Sequence, residues 1–126
     1  MATEDTILPG WLDECLQQED HRPEDYILCS LCLSPITHKQ ARLNVQGSHE
    51  HRVVNPHNIT FQLACFEVAP GCTISGNPTP AFSWFRTFYW QYATCSECHE
   101  HMGWYYENPD GDSFFGLIIS RLAISG

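Results

Sequence analysis

Residues 82–106, "FSWFRTFYWQYATCSECHEHMGWYY", hold three of the four tryptophans of this 126-residue chain around a Cys-x-x-Cys pair. The cysteines ask for a partner elsewhere, and one exists. Cys29 and Cys32 form a second pair, with 62 residues between it and Cys95–Cys98. Two such knuckles supply four thiolates, the closed tetrahedral set of a structural zinc, with no position left for water. Two disulfides or a redox dithiol are the alternatives. An odd total of seven cysteines and a chain that reads as intracellular weigh against disulfides. The expectation is one structural Zn²⁺ per chain on Cys29, Cys32, Cys95 and Cys98, clamping distant strands without catalysing anything. His99 and His101 follow the second knuckle and could replace a thiolate, but four cysteines already complete the site, which leaves both histidines around it or on the surface. Cys15, Cys65 and Cys72 read as small apolar or incidental residues.

Outward from this stretch the pattern is all-β. "ITFQLACFEVA" (59–69) alternates, with Ile59, Phe61, Leu63 and Cys65 on one face. "YILCSLC" (26–32) enters a strand and knuckle, "RLNVQG" (42–47) is a short strand ending in glycine, and "HRVVNPHN" (51–58) ends in an Asn-Pro turn. "PGCTISGNPTP" (70–80), rich in proline and glycine, is expected to be loop. "AFSWF" (81–85) and "FYWQYATC" (88–95) are expected to be strands joined by a turn at Arg86 and Thr87. "GWYYENPDGDSFFGLIIS" (103–120) reads as strand, polar turn, strand. A short amphipathic helix is expected within "GWLDECLQQED" (10–20).

A chain of this length suits one domain, large enough to bury a real core. The formal net charge is −9, and residues 1–26 hold eight of the fifteen acids but one of the six Lys and Arg residues. An acidic leader (1–25) is therefore followed by a nearly balanced domain (26–126). The deficit of basic residues argues against nucleic acid and an anionic membrane surface as partners. There is neither an apolar run long enough for a membrane span nor a secretory signal pattern. A cytoplasmic or nuclear location is expected, or a secreted one if a signal has been removed.

Residues 82–115 hold twelve of the sixteen aromatics. Alternation puts Phe82 with Trp84 and Trp104 with Tyr106, and the expected hairpin sets Trp84 facing Trp90. Filling a small core is the plain use of such rings. Three indole N–H donors, however, must each be satisfied in a dry core. A pocket with flat aromatic walls and a few polar groups accounts better for them.

"LCSLC", "VVNPHN", "FSWFRTFYW", "CSECHEHMGWYY" and "FFGLIISRL" together resemble, in order and spacing, the thalidomide-binding domain of cereblon, the CULT domain family. The resemblance runs over about residues 26–122. It implies a β-tent: two antiparallel sheets pinned by a structural zinc, with a ligand pocket away from the metal. By the family pattern Trp84, Trp90 and Trp104 would be cage walls and Tyr106 the closing ring, where vertebrate cereblon has phenylalanine. Asn55 and Pro56 match the turn lining the pocket, and Ser83 lies in the binding strand. The implied ligand is a cyclic imide: the glutarimide of thalidomide-type drugs, a C-terminal cyclised glutamine or asparagine serving as a degron, or a uridine-like ring. Its edge presents C=O, N–H, C=O. The backbone C=O of Phe82 would accept the imide N–H, and the backbone and indole N–H groups of Trp84 would donate to the carbonyls. For Asn55, capping its own turn is an equal reading.

Two other classes compete. A methyl-lysine or quaternary-ammonium cage uses cation–π attraction and usually adds a carboxylate; Glu50, Glu97 and Glu107 are the candidates. A methionine-sulfoxide-reductase-like enzyme shares the two-knuckle β-tent but needs a nucleophilic cysteine on its C-terminal strand. No cysteine follows Cys98, so a binding module rather than an enzyme is expected. The resemblance also implies that the ligase adaptor does not bind this chain alone, since the regions that dock it in cereblon lie outside the domain.

Overall fold

The computed structural model describes residues 25–124. Among these residues nine strands form two antiparallel sheets, without an α-helix. The smaller sheet runs β2 (Pro35–His38), β1 (Tyr26–Cys29), β9 (Leu122–Ile124). The larger has the order β3 (Glu50–Val54), β4 (Thr60–Phe66), β8 (Ser113–Ile118), β7 (His101–Glu107), β6 (Tyr89–Cys95), β5 (Cys72–Thr79). The all-β, two-sheet expectation therefore holds. The helix expected at 10–20, and Cys15 within it, lie outside the described residues.

The larger sheet is covered on both faces, and that decides its side-chain pattern. Ala64, Phe66, Ala93, Met102, Phe115 and Leu117 face the smaller sheet and pack with Ile27 and Ile36. Leu63, Cys65, Trp104, Tyr106, Phe114 and Ile118 form a second cluster on the opposite face, under Val45 and Phe85. The alternation read in β4 is real, but its other face is buried too: Ala64 and Phe66 are buried, as are Leu63 and Cys65. Ile59 precedes the strand and is half exposed.

Three expected elements differ. Residues 70–80 contain the strand β5, despite Gly76 and Pro78. It is an edge strand, so Pro78 removes no donor the sheet needs. Between Ser75 and Thr79 the register slips against β6, and Gly76 with φ +88° absorbs the bulge. Conversely, residues 81–88 are not a strand but a looped segment laid over the second cluster, with Phe82 and Thr87 in the left-handed region at φ 59° and 74°. Buried Phe85 plugs it down, with ring centroids 4.8 Å from Tyr106, 5.0 Å from Phe114 and 5.1 Å from His51. Around 42–47 there are only two bridges, Arg42–Phe66 and Val45–Ser48. Left-handed Gln46 and Gly47 close a tight turn there instead of extending a strand.

One irregularity in β7 shapes the pocket. Ala93 pairs with Gly103 but Thr94 pairs with His101, so Met102 is an extra residue. In an unbroken strand Met102 would share a face with Trp104. The bulge sends Met102 into the inter-sheet core and turns His101 to the face of Trp104, with the two ring centroids 4.8 Å apart. Only glycine fits at 103, because a β-carbon there would overlap the carbonyl oxygen of Gly116 on β8.

Candidate functional site: a four-cysteine centre and an aromatic cavity

The two knuckles have the same local build. Cys29 N–H donates to Ser34 O (2.9 Å) and Leu33 N–H to Cys29 O (2.8 Å); Cys95 N–H donates to Glu100 O and His99 N–H to Cys95 O (both 2.8 Å). Leu33 and His99 occupy equivalent left-handed positions at φ 65° and 67°. His99 is thus spent on turning the chain. Each knuckle curls its thiols inward, and the sulfur atoms of Cys29, Cys32, Cys95 and Cys98 all lie within 4.8 Å of one another. The cross-knuckle pairs Cys29–Cys98 and Cys32–Cys95 are each 3.6 Å apart. Four thiolates around a zinc at about 2.3 Å would stand about 3.8 Å apart. The donor set therefore fits a tetrahedral metal ion. The Ser34 hydroxyl lies 3.1 Å from the Cys32 sulfur and 3.3 Å from that of Cys95. Its hydrogen bond to Cys32 is the main reason that thiol is lowered to about 7, while at Cys98 the lowering backbone hydrogen bond from Glu100 is outweighed by desolvation and the three other sulfurs, which push that thiol the other way, up to about 12. One knuckle leads out of β1 in the smaller sheet and the other out of β6 in the larger, so the centre ties the sheets together.

β6 runs from the centre at Cys95 back to Trp90, where an aromatic cavity of about 590 Å³ opens. Of the residues singled out in the sequence, Asn55, Pro56, Phe82, Trp84, Trp90, Trp104 and Tyr106 all line it. Ser83 does not. It lies at a smaller neighbouring hollow of about 370 Å³, where its hydroxyl donates to Phe85 O and accepts from Phe85 N–H (3.0 and 3.3 Å). Trp84 and Trp104 meet at a corner, with centroids 4.9 Å apart and planes at 86°. They do so without the expected hairpin: Trp90 pairs in register with Tyr106 across β6 and β7, while Trp84 comes from the loop.

The indoles of Trp84 and Trp90 hold that loop in place. Trp84 Nε1–H donates to Val54 O (2.8 Å) on β3, and Trp90 Nε1–H donates to Ala81 O (2.7 Å). This corrects the expected use of the Trp84 indole as a ligand donor, because its hydrogen is already committed. The backbone C=O of Phe82 and N–H of Trp84 make no hydrogen bond among the described residues. Neither does the indole N–H of Trp104, which is not sealed from solvent. Asn55 caps its turn, its Oδ1 accepting from the N–H groups of His57 and Ile59 (both 2.9 Å), and still borders the cavity. Tyr106 is buried and stacked on Phe114, with centroids 4.9 Å apart, so it forms floor rather than lid. Burial raises the pKa of its phenol, so it stays neutral.

Sequence reasoning missed Phe61, Tyr92, His57 and His101, which also line the cavity. Tyr92 was legible as the residue two beyond Trp90 on one strand face. His101 was not, because its position depends on the bulge. No carboxylate borders the cavity among the described residues, and Glu50, Glu97 and Glu107 are all elsewhere. Burial pushes the thiols of Cys65 and Cys72 up to about 12, a state in which neither is a nucleophile near neutral pH. No helix among the described residues is long and apolar enough to cross a membrane.

No protein-family model matches the chain. It is 34% identical over 73 residues to protein cereblon of Gallus gallus, an overlap of 55% of this chain and 16% of the relative. It has the same identity over 73 residues to protein cereblon of Xenopus tropicalis. Against protein cereblon of Drosophila yakuba it is 24% identical over 114 residues, 82% of this chain and 19% of that protein. The chain is therefore cereblon-like at modest identity, and it spans less than a fifth of the length of these relatives, 16% and 19% of the chicken and fly proteins.

Proposed function

We propose that this is a ligand-recognition module that binds cyclic imides in the aromatic cavity, as a cereblon-like substrate receptor domain, and that a structural Zn²⁺ on Cys29, Cys32, Cys95 and Cys98 stiffens it. The observation that carries this reading is the free backbone pair of Phe82 C=O and Trp84 N–H among residues that line an aromatic cavity. A glutarimide has an apolar back for the rings of Phe61, Trp84, Trp90 and Trp104, and an acceptor–donor–acceptor edge. Phe82 C=O accepts the imide N–H and Trp84 N–H donates to one carbonyl. The second carbonyl takes the uncommitted indole N–H of Trp104 in place of that of Trp84. The ligand is neutral, so a cavity without a carboxylate suits it, whereas a methyl-lysine cage would normally supply one. Among the described residues no cysteine lines the cavity, which favours binding over sulfoxide reduction. C-terminal cyclic imides on proteins, thalidomide-type drugs and uridine-like rings share the recognised edge.

Titration with glutarimide, read by tryptophan fluorescence, tests this directly. Trp84→Ala is expected to weaken binding at least about 30-fold, as for a central aromatic anchor worth about 2 kcal/mol, with zinc content unchanged. If trimethyl-lysine alone binds, the imide reading fails.

A further inference from the structure

One residue lining the cavity, His101, carries a side-chain acceptor that recognition of the ring edge leaves unused. His101 Nε2 lies 2.9 Å from Gly103 O. A carbonyl oxygen only accepts, so Nε2 carries the hydrogen, and in the neutral ring Nδ1 is left as a bare lone pair. Burial, with the charge of Arg121 adding to it, lowers the His101 pKa, so the neutral ring is the form present near pH 7. Nδ1 has no protein partner among the described residues and is not sealed from solvent. Arg121 is engaged elsewhere: it donates to His101 O (2.6 Å) and faces the Glu100 carboxylate (3.7 Å). The imidazole stands between Trp104 and Tyr92, with centroids 4.8 and 5.6 Å away. Tyr92 is 46% exposed and His101 is partly exposed, so the stretch of cavity wall they form reaches the surface and offers an exit for the rest of a ligand.

We propose that His101 reads that exit: its Nδ1 accepts a hydrogen bond from an amide N–H on the ring carbon beside an imide carbonyl. That group is retained when a C-terminal glutamine cyclises while still joined to its peptide. The pocket would thus prefer peptide-derived imides over rings whose substituent offers no hydrogen. This specificity rests on the cyclic-imide reading above and adds to it a positioned acceptor outside the ring edge.

The test compares 3-acetamidopiperidine-2,6-dione with 3-acetoxypiperidine-2,6-dione, an isosteric pair in which the amide N–H becomes an ester oxygen. The wild-type protein is expected to bind the amide about tenfold more tightly, since the ester sets two lone pairs against each other. In His101→Phe the two should bind within about twofold of each other, with the ester no weaker than in wild type, and His101→Gln, which keeps an acceptor, should restore part of the preference. Nitrogen-15 imidazole spectra of the wild-type protein give an independent readout: an Nε2–H tautomer at rest, and an Nδ1 signal that shifts with the amide but not the ester. Equal binding of the two by wild type, an undiminished preference in His101→Phe, or an Nδ1–H tautomer at rest overturns this assignment alone. If neither compound binds wild type, the cyclic-imide reading falls and this inference with it.

Discussion

The two ends of the molecule are built on opposite plans. At the metal end a five-residue turn is used twice with nearly the same geometry, and the work is local: each Cys-x-x-Cys closes its own hydrogen bonds and its own left-handed residue. At the cavity end nothing repeats. The walls come from β3's turn, β4, β6, β7 and a loop, and they meet because two indoles and one phenylalanine fasten that loop across the sheet. A repeated local device resists change everywhere except at its ligands; a convergent one is sensitive at each fastening.

The largest effect is expected at the four cysteines. Cys95→Ser, or chelation of the wild-type protein, is expected to cost more than about 4 kcal/mol, since an ion held by all four thiolates would join a knuckle of one sheet to a knuckle of the other. Thermal melting with metal analysis reads this, and both the knuckles and the cavity should be lost together. If the cavity still bound glutarimide after metal removal, the two ends would be independent.

Next comes the plug. Phe85→Ala empties a site packed against His51, Tyr106 and Phe114 and is expected to cost about 3–5 kcal/mol. Zinc content should survive in the folded fraction while ligand affinity drops, because residues 81–88 lose their anchor. Denaturant unfolding and a zinc assay on the same samples separate the two effects.

The smallest effect is the most local. Trp90→Phe keeps a wall but removes the donor to Ala81 O, and is expected to cost about 1 kcal/mol of stability. Binding should weaken a few-fold through loosening of the loop. A calorimetric titration checks this; an unchanged affinity would mean the indole fastening has no part in holding the cavity open.

Much of the four-cysteine end was legible because residue type and spacing nearly specify it: four thiols in two pairs admit few arrangements, and the strands between them alternate visibly. The cavity was legible as a set of residues but not as a geometry. Trp84 and Trp90 were expected across a hairpin, but residues 81–88 form a loop that seats Phe85 as a plug on the face of the larger sheet away from the smaller one. β5 was hidden by Gly76 and Pro78, whose usual meaning is overridden at a sheet edge. Ser83 belongs to the loop's internal bonding, a role its neighbours in sequence do not announce.

Periodicity, spacing and composition were enough to give the class of fold, the four cysteines that come together and the concentration of rings that makes a cavity possible. Tertiary structure decided which donors remain free. The Trp84 indole is consumed by a strand 30 residues away, Trp104's is not, and one extra residue in β7 turns His101 into the cavity. Hydrogen bonds between distant segments, and a bulge whose register is set by the neighbouring strand, leave no local trace in the chain.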